Sequence, residues 1–173
     1  TMSDASVQGT ASAGVPQGNA IHIANTLTNI SNAPITATYQ VTPTDGTCVG
    51  NTVPVVITIN PEPRGFDDAP VAAICSNASV GYDLDANIAD TGNGGNNLVT
   101  GTTYSWVATP NASITGEGSG TSSTINDVIN NITASNQTVV YTVTPTNATC
   151  VGDPFTVTLV VQPEPKGFNE TIF

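Results

Sequence analysis

YTVTPTNATCVGDPFTVTLVVQPEPKGF, residues 141–168, occurs twice in this chain. The earlier copy, YQVTPTDGTCVGNTVPVVITINPEPRGF, occupies residues 39–66, and 15 of the 28 positions are identical without a gap. The offset is constant at 102 residues, from Cys48 to Cys150 and from Phe66 to Phe168. That period is too long for a solenoid unit of roughly 20–50 residues. It is the size of a small domain that buries its own core. The quoted stretch itself reads as two strands and a tail. Val139, Tyr141 and Val143 alternate with Val140, Thr142 and Thr144, and Phe155, Val157, Leu159 and Val161 share one face. Alternation with period 2 is the pattern of half-buried strands. Thr146 to Asp153 is the hairpin connection between them.

Working outward, the offset extends upstream. Ile23 falls on Ile125, Asn29 on Asn131, Ile30 on Ile132, Gly14 on Gly116 and Thr1 on Thr103. Residues 1–66 are therefore expected to be the later part of one unit, 67–168 a complete unit, and 169–173 the start of a further one. On this reading the chain is a piece of a longer array. In the complete unit, Val71 to Ile74 is a first strand and Ser79 to Asp85 a second, half-buried one. Asp90 to Gly101, rich in Gly and Asn, is a loop. Thr102 to Thr109 is a strand and Pro110 to Gly120 a long turn. Ser122 to Ile132 has apolar residues at helical spacing but is dense in Asn and Thr, and is read as a short strand with irregular flanks. About seven strands with short connections predict an all-β fold of tandem antiparallel sandwiches, the second complete and the first partial.

Composition narrows the function classes. Two basic residues stand against 13 acids, a net charge of -11. Such a surface repels nucleic acid and anionic membranes, so neither is expected as a partner. Charged residues are only 9% of the chain. The polar surface is mostly Thr, Asn, Ser and Gly, which suits an extracellular protein. No stretch is long enough for a transmembrane helix. The start, TMSDASVQG, has neither a basic nor an apolar region and is not a signal peptide.

Both basic residues sit in equivalent tails, Pro61-Glu62-Pro63-Arg64-Gly65-Phe66 and Pro163-Glu164-Pro165-Lys166-Gly167-Phe168. Pro-x-Pro favours an extended, stiff path, so these are read as semi-rigid linkers between units. Phe66 is expected to pack on a neighbouring domain and Arg64 to pair with an acid. A solvated linker is the alternative.

The chain has three cysteines. Cys48 and Cys150 are equivalent, whereas the equivalent of Cys75 falls before residue 1. The repeat thus predicts a Cys75–Cys150 disulfide with Cys48 unpaired. A Cys48–Cys75 bridge and three reduced thiols remain as alternatives. No CxxC spacing suggests zinc.

Motifs for catalysis are absent: there is no GxSxG, HExxH, phosphate loop or dinucleotide fingerprint. The single histidine, His22, has Thr124 at its equivalent position and reads as a surface residue. No enzyme activity and no obligatory cofactor are expected. Asp83, Asp85, Asn87 and Asp90 are hard oxygen donors within a short span, and Asp67 and Asp68 sit at the junction, so calcium is the one candidate cation. Their spacing is not that of an EF-hand loop. Trp106, the only tryptophan, is expected in the core rather than on a sugar-binding face.

The run YTVTPTNATCVGDPFTVTLVVQPEP, with the upstream ICSNASVGYDLD, TYSW and INDVINNIT segments, resembles the PKD-like repeat of giant cell-surface adhesins of Bacteroidetes-type bacteria, including gliding-motility adhesins. The resemblance implies immunoglobulin-like sandwiches, an extracellular location on the bacterial surface, and a role as stalk, spacer or adhesive module. The implied partners are neighbouring repeats, other filament subunits or surface polysaccharide. A carbohydrate- or calcium-binding accessory module is the alternative role. The first copy departs from the pattern, since Asp4 stands where the strand Trp106 would be.

Overall fold

The computed structural model describes residues 7–8, 26–29, 31–90, 99–148 and 150–167, with the backbone alone at 7, 8 and 70. Asp4, Gly14, His22, Ile23, Ile30, Phe168, residues 169–173 and the 91–98 part of the Gly/Asn loop lie outside these. The chain divides into two units, Thr1–Glu62 and Pro63–Phe173. The division falls before Pro63 rather than after Phe66, because Pro63 to Phe66 is built into the second unit.

In the first unit, β1 (Val7–Gln8) pairs antiparallel with β2 (Thr28–Asn29). β3 (Ile35–Val41) is followed by the short pair β4 (Thr44–Asp45) and β5 (Cys48–Val49), and then by β6 (Val53–Ile59). β3 and β6 form an antiparallel ribbon from Ile35↔Ile59 to Val41↔Val53.

The second unit begins with β7 (Asp68–Cys75), β8 (Ala78–Ser79), β9 (Tyr82–Asp83) and α1 (Leu84–Ala89). Then come β10 (Thr103–Ala108), β11 (Ile114–Thr115), β12 (Ser119–Gly120), β13 (Thr124–Ile125) and β14 (Val128–Asn131). The long strands β15 (Gln137–Asn147) and β17 (Phe155–Gln162) flank β16 (Cys150–Val151). The main sheet has the order β12-β10-β15-β17-β7, with β16 on the end of β15. Smaller pairings, β11-β14-β8 and β13-β9, complete an all-β fold. They bring Ile114, Ile125, Ile129 and Val80 into one core with Trp106, Tyr141 and the inner face of β17. Trp106 is buried and meets Tyr141 edge to face, with ring centroids 5.8 Å apart. Phe155, Val157, Leu159 and Val161 are at most 3% exposed, as their alternation requires.

The expected sandwich is corrected in three places. β7 runs parallel to β17, not antiparallel, with Asp68 beside Val157 and Cys75 beside Gln162. The register slips twice along the pair, and Pro70 falls in the first slip, where a missing N–H costs no ladder bond. Ser79 to Asp85 is not one strand: β9 stops at Asp83, whose side chain accepts from the N–H of Asp85 (3.0 Å) and Ala86 (3.3 Å) and so starts α1. The stretch read as a long turn, Pro110 to Gly120, contains β11 and β12.

The sequence repeat is reproduced bond for bond in each unit. β15 and β17 pair from Gln137↔Val161 to Val143↔Phe155, the register of β3 and β6 moved by 102. Gly152 donates to the Pro145 carbonyl at 2.9 Å, and Gly50 to that of Pro43 at 2.8 Å. Asn131 Nδ2 donates to the carbonyls of Ser135 (2.8 Å) and Val161 (2.9 Å), while its Oδ1 accepts from the N–H and hydroxyl of Thr133. Asn29 does the same with Ala33, Ile59 and Ser31. Both asparagines are buried, so each amide ties a turn to the end of the last strand in place of water.

Asn131→Ala should strand the Val161 carbonyl and the Thr133 N–H, costing about 2–3 kcal/mol. Urea unfolding followed by Trp106 fluorescence measures this. A loss below about 0.5 kcal/mol would show that the amide is dispensable.

Candidate functional site

The residues that distinguish this unit as a building block lie where the chain enters it. Pro63 is among the most fully buried side chains. Its carbonyl lies so close to Gly152 that a Cβ there would overlap it, and a Cβ on Gly65 would overlap the Phe155 ring. Both positions accept only glycine because the linker lies directly against the hairpin and the first core residue of β17.

Polar groups hold the same segment from α1. The Asp83 cap sets the helix so that Leu84, Asn87 and Ile88 are its buried residues. Asn87 then brackets Phe66: its Oδ1 accepts from the Phe66 N–H (3.1 Å) and its Nδ2 donates to the Phe66 carbonyl (3.0 Å). Nδ2 also donates to the Tyr82 hydroxyl at 2.8 Å, and that hydroxyl donates to Asp68 Oδ2 at 2.8 Å. On the other side, Asp67 Oδ1 accepts from the N–H (2.7 Å) and hydroxyl (2.9 Å) of Thr156 in β17. The linker is thus fixed by packing on one strand, a side-chain amide on the helix and a carboxylate at the start of β7.

Two further tyrosines repeat the Tyr-to-Asp contact. Tyr104 donates to Asp85 at 2.6 Å and Tyr141 to Asp127 at 2.9 Å, and Asp127 also accepts from the Gly118 N–H. Burial, and then the hydrogen bond to a carboxylate, push all three phenols well above their ordinary value of 10.0. Four of the carboxylates considered for calcium are therefore engaged separately. Asp83 caps α1, Asp85 accepts from Tyr104, Asp68 from Tyr82 and Asp67 from Thr156. Among the described residues no group of three or more His, Cys, Asp or Glu side chains could hold a metal ion.

The other expected site residues fall as follows. Pro61 is buried, Arg64 is exposed and Phe66 is half-buried. In the second linker, Pro163 is half-buried while Pro165 and Lys166 are exposed. Pro165, the counterpart of buried Pro63, is thus open. Glu164 accepts from Asn77 Nδ2 at 3.2 Å.

The Cys75–Cys150 disulfide is not formed: Cys48, Cys75 and Cys150 are all free. The parallel pairing explains why. Cys75 lies beside Gln162, at the finish of β17. Cys150 lies opposite Asn147, beyond the Val143↔Phe155 pair at the start of β17. The length of β17 separates them, about 20 Å at ~3.3 Å per residue, whereas a disulfide needs Cα atoms within about 7 Å.

A PKD-like domain model matches residues 2–63 and 72–165. The chain belongs to the PKD-like domain family. Such all-β domains are typically extracellular structural or adhesive modules without catalytic function. No curated protein matches the chain. Among the described residues no helix is long and apolar enough to cross a membrane. The linker residues and the acids were visible in the sequence as types. The sequence marks Asn87 only as an oxygen donor for calcium and assigns no role to Asn131 and Asp127, although the coincidence of Asn29 with Asn131 at the 102-residue offset is a signal.

The buried phenols set an alkaline limit. Unfolded tyrosine ionises near 10, before the folded residues do, so their contribution is intact below about pH 10 and is lost as pH rises from there toward the folded values. The melting temperature should hold up to about pH 9.5 and fall beyond it, and Tyr82→Phe should make that fall shallower. An unchanged slope in the variant would show that Tyr82 does not hold its proton through this site.

Proposed function

We propose that this chain is a structural and adhesive repeat of a large secreted bacterial surface filament, serving as stalk or spacer in surface attachment or gliding motility. Its working partners are neighbouring repeats of the same kind. The observation that carries the reading is mechanical. The chain enters the second unit beside Phe155 and leaves it after Gln162, and between these points β7 and β17 lie side by side in parallel. Tension applied through the two linkers pulls the paired strands lengthwise past each other. All their hydrogen bonds then resist together, instead of opening one at a time from an end. The docked linker adds to this, because the load reaches β7 only after Pro63, Gly65 and the Asn87 bracket have given way. The acidic surface, net -11 over the chain, keeps such units from associating side by side.

The test is to pull unit 2 in two directions with a single-molecule instrument. The background carries Cys48→Ser, Cys75→Ser and Cys150→Ser, and handles are attached at cysteines introduced at exposed positions. Attachment at Arg64 and Glu164 loads opposite ends, and attachment at Arg64 and Asp153 loads the same end. The first geometry should unfold at the higher force. Equal forces would remove the basis for a load-bearing role.

A further inference from the structure

The connection from β16 to β17 holds a bond of a kind found nowhere else in the chain. Asp153-Pro154 is the single Asp-Pro pair in the sequence, and Asn51-Thr52 stands at the equivalent place in the first unit. Both residues are exposed and lie outside strand pairing, between Val151 and Phe155. An Asp-Pro bond is the peptide link most easily broken by acid. The side-chain carboxyl reaches its own carbonyl carbon through a five-membered ring, so the attack is intramolecular. The leaving group is a tertiary amide nitrogen with no N–H, and its departure breaks no ladder bond. The ends on either side of this bond are fixed independently. Upstream, the Gly152 N–H donates to the Pro145 carbonyl at 2.9 Å, and Gly152 lies against the Pro63 carbonyl. Downstream, Phe155 is 3% exposed, and the N–H and hydroxyl of Thr156 donate to Asp67 Oδ1 at 2.7 and 2.9 Å. From there β17 is held on both edges, by β15 and by β7.

We propose that unit 2 is a self-processing module: in mild acid it cuts its own backbone between Asp153 and Pro154 and stays assembled as two pieces. An oxygen of the Asp153 carboxyl adds to the Asp153 carbonyl carbon. The C–N bond to Pro154 breaks, and the carboxyl proton passes to the proline nitrogen. The cyclic anhydride left on Asp153 takes up one water and opens to two carboxyl groups. No oxidant, cofactor or second protein enters the balance. The titratable or charged side chains on the segments packed here are Arg64 on the linker, Cys150 on β16 and Asp67 at the head of β7. After the cut, β17 and the outgoing linker are held to the rest of the unit by strand pairing and packing alone. The consequence rests on the load-bearing reading above. When the β7–β17 pair yields, an uncut unit unravels and stays connected, whereas a cut unit lets go. Acid thus turns an extensible link into a release point.

The whole chain is held at about pH 4, near the ordinary carboxyl value, while Trp106 fluorescence reports that the core stays folded. Mass spectrometry after denaturation should find residues 1–153 and 154–173, together one water heavier than the chain. Size exclusion under native conditions should give one species of unchanged size. Asp153→Asn and Pro154→Ala, both at exposed positions, should each slow the cut by about tenfold or more. In a single-molecule instrument with handles at Arg64 and Glu164, an uncut unit should lengthen on yielding and a cut one should lose its tether. The readout is the fate of the tether, not the unfolding force, so it stands whether or not pulling direction alters that force. The proposal is overturned by no cut at this bond, by a cut only after the Trp106 signal is lost, or by an equal rate in Asp153→Asn. Release of residues 154–173 from the folded chain, or a cut unit whose tether survives yielding, would overturn it as well.

Discussion

The parallel pairing of β7 on β17 is the constraint from which the rest of the second unit follows. It requires the chain to enter at the Phe155 end, which places Pro63 against Gly152 and Gly65 against Phe155. It leaves β7 as the edge of the main sheet and lets Val71 and Ile74 pack on the core. It separates entry from exit along the length of the strand. It also sends Cys75 to one end of the sheet and leaves Cys150 at the other. An antiparallel first strand would have brought the two thiols together at the Phe155 end and the two linkers together at the Gln162 end.

Polar chemistry in this protein is used to hold the backbone. Charges are few, and only two basic residues stand against 13 acids. Five carboxylates, Asp67, Asp68, Asp83, Asp85 and Asp127, accept from tyrosine hydroxyls or from backbone N–H groups. Buried asparagines do the complementary work, with Asn87 on the linker and Asn131 on the end of β17. Each group is satisfied by its neighbours, which is the condition for burying it without large cost. The hairpin, its glycine turn and the asparagine tie form in both units, so they are local features of the repeated stretch.

Much of this was legible in the sequence, for physical reasons. The long strands were visible because Phe155, Val157, Leu159 and Val161 face one way over four periods, and Trp106 and Tyr141 fit the same alternation. The ambiguous stretch around Ile125, read as one short strand with irregular flanks, holds two, β13 and β14. The helix was missed because six residues give too little periodicity, although Asp83 followed by Leu84 and Ile88 is a capped turn with one apolar face. The disulfide was misjudged because the repeat gives the number of cysteines in a unit but not strand direction, and direction is set by long-range pairing. The carboxylates read as candidate ligands were visible by type, but their tyrosine and threonine partners lie far away in sequence, at Tyr104 for Asp85 and Thr156 for Asp67.

Strand direction is therefore the claim on which the account stands, and the distance between Cys75 and Cys150 measures it. Spin labels on these two thiols in a Cys48→Ser background, read by pulsed electron resonance, should give a single separation on the order of 20 Å or more, the length of β17. A separation near 10 Å or less, or recovery of a Cys75–Cys150 bridge, would mean that β7 runs the other way and that the entry, the exit and the load path are wrongly placed.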